Sequence, residues 1–262
     1  MAARAIWKGS IQFGSVQLSV KLYSAIEDRA VHFRLLDAKH LEPVKQRMVD
    51  PDREEVVESS EIRRAVKTDD GKLVIVEPEE LAALEPKESR DIEITRFVPT
   101  KKISHQWYDR PYYLGPDGDE KGYFALANAL RNQERTGVAR WVMRKKEYAG
   151  ALAAEGDYLM LMTLRSAAEV ISASQLEAPS GRDLSDREVN MAKQLVAAME
   201  DDLDIAAFKD EYRDRVEELA QAKSAGKVVK FPKSPRRTGE KSLEDILEKS
   251  LAATTKRERA SA

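Results

Sequence analysis

The sequence predicts a mixed α+β protein: a mostly-β domain running to about residue 178, then helical segments, then a basic tail. Three observations carry this. Apolar residues alternate along the N-terminal stretch RAIWKGSIQFGSVQLSVKLYSA, and the alternation changes phase at Gly14-Ser15. A second alternating pair, YAGALAA and YLMLMTL, is separated by the turn signal Glu155-Gly156-Asp157. After Pro179 the apolar spacing becomes helical, introduced by the S-x-x-E capping box of Ser185 and Glu188.

The first stretch needs two strands, or one kinked strand, at Ser10–Phe13 and Val16–Tyr23. Side chains alternate faces along a strand, so a one-residue phase change moves the apolar set to the other face unless the chain turns. Gly14 suits such a bulge or tight turn because it lacks a Cβ. Corners of this kind belong to a curved, barrel-like sheet. Further on, Lys72–Val76 reads as a short strand after the turn Asp69-Asp70-Gly71, and Glu79–Leu84 as a helical turn. Ile92, Ile94 and Phe97 suggest another strand. Asp109–Gly122, with two prolines and three glycines, reads as loop. A helix is expected over Tyr123–Arg135, stopped by Gly137, and then a strand over Val138–Met143.

Beyond Ser185, the positions Val189, Ala192, Leu195, Val196 and Met199 follow helical spacing. A second amphipathic stretch carries Ile205, Phe208, Tyr212, Val216 and Leu219 and ends near Gly226. Lys227–Lys241 holds six basic residues, one acid and two prolines, the composition of a flexible basic linker. SLEDILEKSL then places Leu243, Ile246, Leu247 and Leu251 on one helical face, too short for an isolated helix. Such a stripe either docks on a partner or folds back on its own chain.

Composition excludes several classes. No run approaches the ~18 apolar residues of a membrane span, and no secretory h-region is visible because Arg4, Trp7 and Lys8 interrupt the N-terminus. Without cysteine there are no disulfides or thiolate ligands, which fits a soluble cytoplasmic protein. His32, His40 and His105 lack ligand spacing, so no metal and no cofactor is expected. Neither a phosphate-binding glycine loop nor a nucleophile elbow occurs. The carboxylate pairs Asp69/Asp70 and Asp201/Asp202 sit where solvated caps are the ordinary explanation, and no active site is expected.

The net charge of −2 conceals alternating blocks: +4 over residues 1–49, −8 over 50–93, +5 over 94–147, −8 over 148–225 and +5 over 226–262. Segregated charge allows a positive binding surface on a nearly neutral protein. The candidate cations are Arg4 and Lys8, Lys45 and Arg47 after Pro43, and Arg140, Arg144 and Lys145 in ARWVMRKK. If that run is a strand throughout, Arg140 and Arg144 share one face and can meet successive phosphates. On residues alone, a solvated charged face remains the other reading.

Four stretches point to a family: RAIWKGSIQFGSVQLSVKLYSA, SRDIEITRFVP (89–99), DRPYYLGPD (109–117) and REVNMAKQLVAAMEDDLDIAAFKDEYRDRVEELAQAK (187–223). With SLEDILEKSL at the end, the chain resembles the bacterial Ku proteins of non-homologous end joining from residue 4 to about 225. The resemblance implies a β-barrel ring domain with a bridge (1–180), a helical arm embracing a second subunit (181–226), and a linker with a short tail helix (227–262). It further implies a homodimer that threads onto double-stranded DNA ends, has no catalytic activity, and recruits a multidomain ATP-dependent repair ligase. DNA contacts then fall on Lys45, Arg47, Arg140, Arg144 and Lys145, with Arg4 and Lys8 beside them. Leu195, Phe208 and Tyr212 fall in the dimer arm, and Leu243, Ile246, Leu247 and Leu251 in a partner-docking tail. The competing class is an architectural, nucleoid-type DNA binder without end specificity. Many relatives carry C-x-x-C where this chain has Val49 and Asp52, so the local turn must rely on Pro51 and side-chain hydrogen bonds.

Overall fold

The computed structural model describes residues 4–180 and 183–227, grouped in two compact units. Of these described residues, one unit comprises those up to Arg29 with Phe33–Ser172, the other Ala30–His32 with those from Ala173 to Lys227.

The first unit is built on a closed seven-stranded barrel. Its strands are β1 (Trp7–Phe13), β2 (Val16–Ser24), β5 (Asp91–Pro99), β6 (Tyr108–Pro116), β7 (Arg135–Met143), β8 (Lys146–Glu155) and β9 (Tyr158–Leu164). Around the wall they run β1-β2-β6-β9-β8-β7-β5, antiparallel except where β5 meets β1. The phase change at Gly14-Ser15 follows from the register of the first hairpin. Ile11 faces Leu18 and Phe13 faces Val16 across a two-residue turn, so odd positions of β1 and even positions of β2 share a face. Gly14 supplies the positive φ (55°) at the first central position, the requirement of a type II′ hairpin turn.

Two readings of this region change. The loop expected over 109–122 is largely strand β6, because its breakers are accommodated. Pro111 lies where the register with β9 shifts between Tyr108 and Pro111, a place where a missing N–H is tolerated. Gly115 pairs with Lys21, and a Cβ there would approach the Tyr23 ring to 3.2 Å. The helix expected over 123–135 is α2, Glu120–Asn132, one turn earlier, with the Asp119 carboxylate accepting from the Gly122 N–H at 2.9 Å. Glu134, not Gly137, takes the left-handed conformation after it (φ 49°). Gly137 lies in β7, where a Cβ would press on Ile94 at 3.0 Å and Phe97 at 3.2 Å.

The core fills the barrel with Ile11, Val20, Leu22, Ile92, Leu114, Leu152, Leu159 and Leu161, each fully buried. Tyr123 of α2 belongs to it, and its hydroxyl ties two strands together. It donates to the Leu114 carbonyl at 2.6 Å and accepts from the Leu159 N–H at 2.7 Å, and these two residues are a β6–β9 pair. Trp141 stacks on Tyr148, its partner across β7–β8, with ring centroids 5.5 Å apart. Trp141 needs the bare backbone of Gly150 beside it, since a Cβ there would lie 2.4 Å from the indole.

The segment between β2 and β5 carries a two-stranded ribbon, β3 (Arg64–Lys67) with β4 (Leu73–Val76), and the short helix α1 (Pro78–Ala83). Two turns precede the ribbon and repeat one design. Asp37 N–H donates to the Glu42 carbonyl and Leu41 N–H to that of Asp37; Asp50 N–H donates to Glu55, and Glu54 N–H to Asp50. The aspartate side chain accepts the following amides, those of Lys39, His40 and Glu42 in the first turn and of Asp52 and Arg53 in the second. Leu41 and Glu54 hold equivalent positive φ, 59° and 56°. Backbone amides hold the Asp37 carboxyl below the usual carboxylate range. The turn in the C-x-x-C position is thus held by Asp50.

In the second unit, α3 (Asp186–Ala198) begins on the expected capping box: Glu188 N–H donates to the Ser185 hydroxyl and Ser185 N–H to the Glu188 carboxylate. The next stretch differs from the single helix expected. Ile205–Ala207 is one 3-10 turn, and α4 (Glu211–Ser224) starts only after Asp210, whose carboxylate accepts from the Arg213 N–H. Phe208 therefore lies outside any helix, because Asp204 and Asp210 each cap a separate segment.

Candidate nucleic-acid interface

The closed barrel leaves a gap in its strand pairing at the start of β5, and cations gather there. β5 pairs with β1 over Asp91–Glu93 and with β7 only from Glu93, opposite Arg140, onward. Trp7–Gly9 of β1 therefore lie beyond the start of β5, and Trp141–Met143 of β7 have no paired partner on it. The chain approaching β5 crosses the gap, anchored by the Ser10 N–H donating to the Arg90 carbonyl at 2.8 Å. A cleft of about 630 Å³ opens on one side, lined by Lys8, Arg90, Arg144 and Lys145 together with Glu88.

The expected cations separate on this geometry. Lys8, Arg144 and Lys145 come together in the cleft, and Arg4 is exposed one residue before its lining begins. Arg140 does not join them. It lines a neighbouring cleft of about 320 Å³ with Asp91, Glu93 and Glu147, and its guanidinium lies 3.7 Å from Glu147. The ladder of Arg140 and Arg144 on one strand face is corrected: β7 ends at Met143, which pairs with Lys146. Arg144 and Lys145 form the two-residue turn between β7 and β8, both at positive φ (52° and 63°). Lys45 and Arg47 are exposed between the two aspartate-held turns, in the segment before the ribbon.

Three lysines here have fixed partners. Lys8 and Lys21 are directly opposite on β1 and β2, a repulsive placement relieved by Asp117, whose oxygens lie 3.1 and 2.7 Å from the two ammonium groups. The hydrogen bond from Lys21, then that from Lys8, holds the Asp117 carboxyl below its ordinary value, and Asp117 in turn raises Lys21. Lys145 reaches Glu85 at 2.9 Å, and that contact raises its pKa. Arg90 and Arg144 are exposed and make no ion pair among the described residues. Sequence reasoning passed over Arg90 and Asp117. Both stand in stretches already singled out, SRDIEITRFVP and DRPYYLGPD, and only the fold brings them to Lys8.

Asp70, the carboxylate with most enzyme-like company, belongs to the β3–β4 turn. The Thr68 hydroxyl, then Lys72 at 2.9 Å, holds its carboxyl below the ordinary range. No cluster among the described residues gathers three or more carboxylate or imidazole groups able to hold a metal. No described helix is long and apolar enough to cross a membrane.

In the arm segment Leu195 is half-buried, whereas Phe208 (77%) and Tyr212 (64%) are exposed, as are Val196, Met199, Leu203 and Ile205. Leu243, Ile246, Leu247 and Leu251 lie outside the described residues.

Comparison with known proteins agrees with this architecture. Residues 12–191 match the family model described as the Ku70/Ku80 beta-barrel domain. The chain is 33% identical over 253 residues to "Non-homologous end joining protein Ku 2" of Geotalea uraniireducens, covering 96% of this chain and 98% of the relative. It is 34% identical over 260 residues to the "Non-homologous end joining protein Ku" of Coxiella burnetii (96% and 95% covered). For the protein of the same name in Mycolicibacterium smegmatis the values are 33% over 261 residues, with 97% and 82% covered. With a closed barrel, a matching domain and relatives aligned over nearly their whole length, the chain belongs to the Ku family.

Proposed function

We propose that this protein is a homodimeric, ring-shaped binder of double-stranded DNA ends acting in break repair by non-homologous end joining. It protects the ends and recruits an ATP-dependent repair ligase, and has no catalytic activity of its own. The observation that carries the reading is the Ku-type barrel itself, with Lys8, Arg144 and Lys145 gathered at the gap in its strand pairing. Cations placed this way attract phosphate without reading bases, so affinity is sequence-independent and falls with salt. Arg4, Lys45, Arg47 and Arg140 belong to the same DNA-contacting set. Arg140 contributes least, because the three carboxylates Asp91, Glu93 and Glu147 line its cleft.

Residues 1–180 form the encircling part, 181–226 the arm and 227–262 the linker and docking tail. Exposure of Phe208, Tyr212 and their apolar neighbours supports the arm assignment, since such side chains gain by burial against a second copy. The protein works in the cytoplasm on the nucleoid. A closed ring needs a free end to load, which gives the decisive experiment: gel shift with linear and covalently closed circular duplexes of one sequence. Capture of the linear form alone supports the end clamp. Equal binding of both would replace it with an architectural DNA-binding role.

A further inference from the structure

We propose that the cleft between the β7–β8 turn and the Glu88–Arg90 segment binds a terminal phosphate monoester of a nucleic-acid strand. The inference rests on the reading of the chain as a binder of DNA ends and adds the chemical group that is read there.

The first observation is a conflict in the turn. A two-residue hairpin with both central residues at positive φ is a type I′ turn, which favours Asn-Gly because side chains with a Cβ resist that conformation. Here the two positions are Arg144 (φ 52°) and Lys145 (φ 63°). Folding alone favours other residues at these positions, and the turn presents both cationic side chains to the cleft.

Charge then defines the ligand. Lys8 is held by Asp117 and Lys145 by Glu85, and Glu88 is the one carboxylate that lines the cleft itself. Arg90 and Arg144 are left without ion partners among the described residues. Two guanidinium groups match a monoester, which carries about −1.5 to −2 charge and three terminal oxygens at neutral pH. Each planar fork can take two of those oxygens at once. An internal phosphodiester offers one charge and two such oxygens.

The neighbouring cleft shows why the strand must end here. The two clefts share Ser89 and Val142, and the second is lined by Asp91, Glu93 and Glu147 against the single Arg140. A polyanion continuing past Ser89 would meet three carboxylates. A chain end avoids these three and meets only Glu88, which lines the first cleft itself.

The test uses the full chain with the variants Arg144→Asn/Lys145→Gly and Arg90→Gln. The double variant carries the favoured type I′ residues and should melt at or above the wild-type temperature, which separates binding from folding. Titrations compare a short duplex bearing 5′-phosphate, 3′-phosphate or hydroxyl ends, and, independently of ring loading, a dinucleotide with and without its phosphate. Inorganic phosphate serves as the free-ion control. Wild type should prefer one phosphorylated end by about tenfold or more, the factor that 1.4 kcal/mol represents. Both variants should bind phosphorylated and hydroxyl forms alike. Equal affinity of wild type for all ends, or an undiminished preference in both variants, would overturn the proposal. Equal binding of linear and circular duplex would instead remove the end clamp, while the dinucleotide titration still decides the cleft.

Discussion

Replacing Tyr123 by Phe should cost this barrel more than an oxygen atom normally does. The hydroxyl sits between Leu114 and Leu159, accepting from one backbone amide at 2.7 Å and donating to the other residue's carbonyl at 2.6 Å. Both leucines are fully buried, so no water takes the place of the hydroxyl. Phenylalanine preserves the packing and leaves one N–H and one C=O unpaired. At about 1–3 kcal/mol for each buried orphan, the expected loss is roughly 2–6 kcal/mol. For a domain of this size about 2–4 °C accompanies each kcal/mol, so Tm should fall on the order of 10 °C. Thermal and urea unfolding followed by circular dichroism measure it, with the urea slope unchanged because the exposed surface is the same. The pH dependence is a second check. Burial pushes the Tyr123 phenol above its ordinary value near 10, so the protonated hydroxyl is favoured in the fold. That contribution is complete below about pH 10 and is lost as pH rises through the folded value, so the gap between wild type and variant should be level from pH 6 to 9 and narrow above it. A fall in Tm under about 2 °C would refute the reasoning. It would mean that Leu114 and Leu159 close the ladder directly and the hydroxyl is only a spacer.

Three further outcomes follow from particular contacts. Asp117→Asn leaves Lys8 and Lys21 facing each other and should lower Tm at neutral pH. The folded carboxyl titrates below its ordinary value, so its contribution is present above about pH 4 and lost as pH falls through the folded value; a gap independent of pH between 2 and 7 would contradict this. Gly150→Ala drives a methyl to 2.4 Å from the Trp141 ring and 2.7 Å from the Met162 carbonyl and should cost about 1–3 kcal/mol, read as a lower urea midpoint with altered tryptophan emission; an unchanged midpoint and spectrum would show that the wall yields freely. Phe208→Asp should weaken self-association roughly 100-fold, a difference of about 2.7 kcal/mol, in analytical ultracentrifugation. A wild-type chain that is monomeric at micromolar concentration would end the arm assignment.

The strand content and family were legible because they rest on local pattern. Alternation with a glycine at the phase change is the signature of β1 and β2, and the capping box of α3 is written in four consecutive residues. The misread elements were those where a neighbour overrides local preference. Pro111 and Gly115 suggest a loop until β9 supplies a register shift and Tyr23 takes the space beside the glycine. Gly137 suggests a helix stop until Ile94 and Phe97 are seen against it.

The candidate site divides along the same line. By itself the sequence determined which residues carry positive charge and that a curved sheet would hold several of them, because charge and alternation are properties of the chain read in order. Only the tertiary structure decided which cations act together. The start of β5 sets the gap in the pairing, the β7–β8 register turns Arg144 off the strand face that Arg140 occupies, and Glu147 engages Arg140, Glu85 engages Lys145 and Asp117 engages both Lys8 and Lys21. Lys8 and Arg90 lie far apart in the sequence from Arg144, and whether such charges reinforce or cancel depends on distances of a few ångströms that only strand pairing sets.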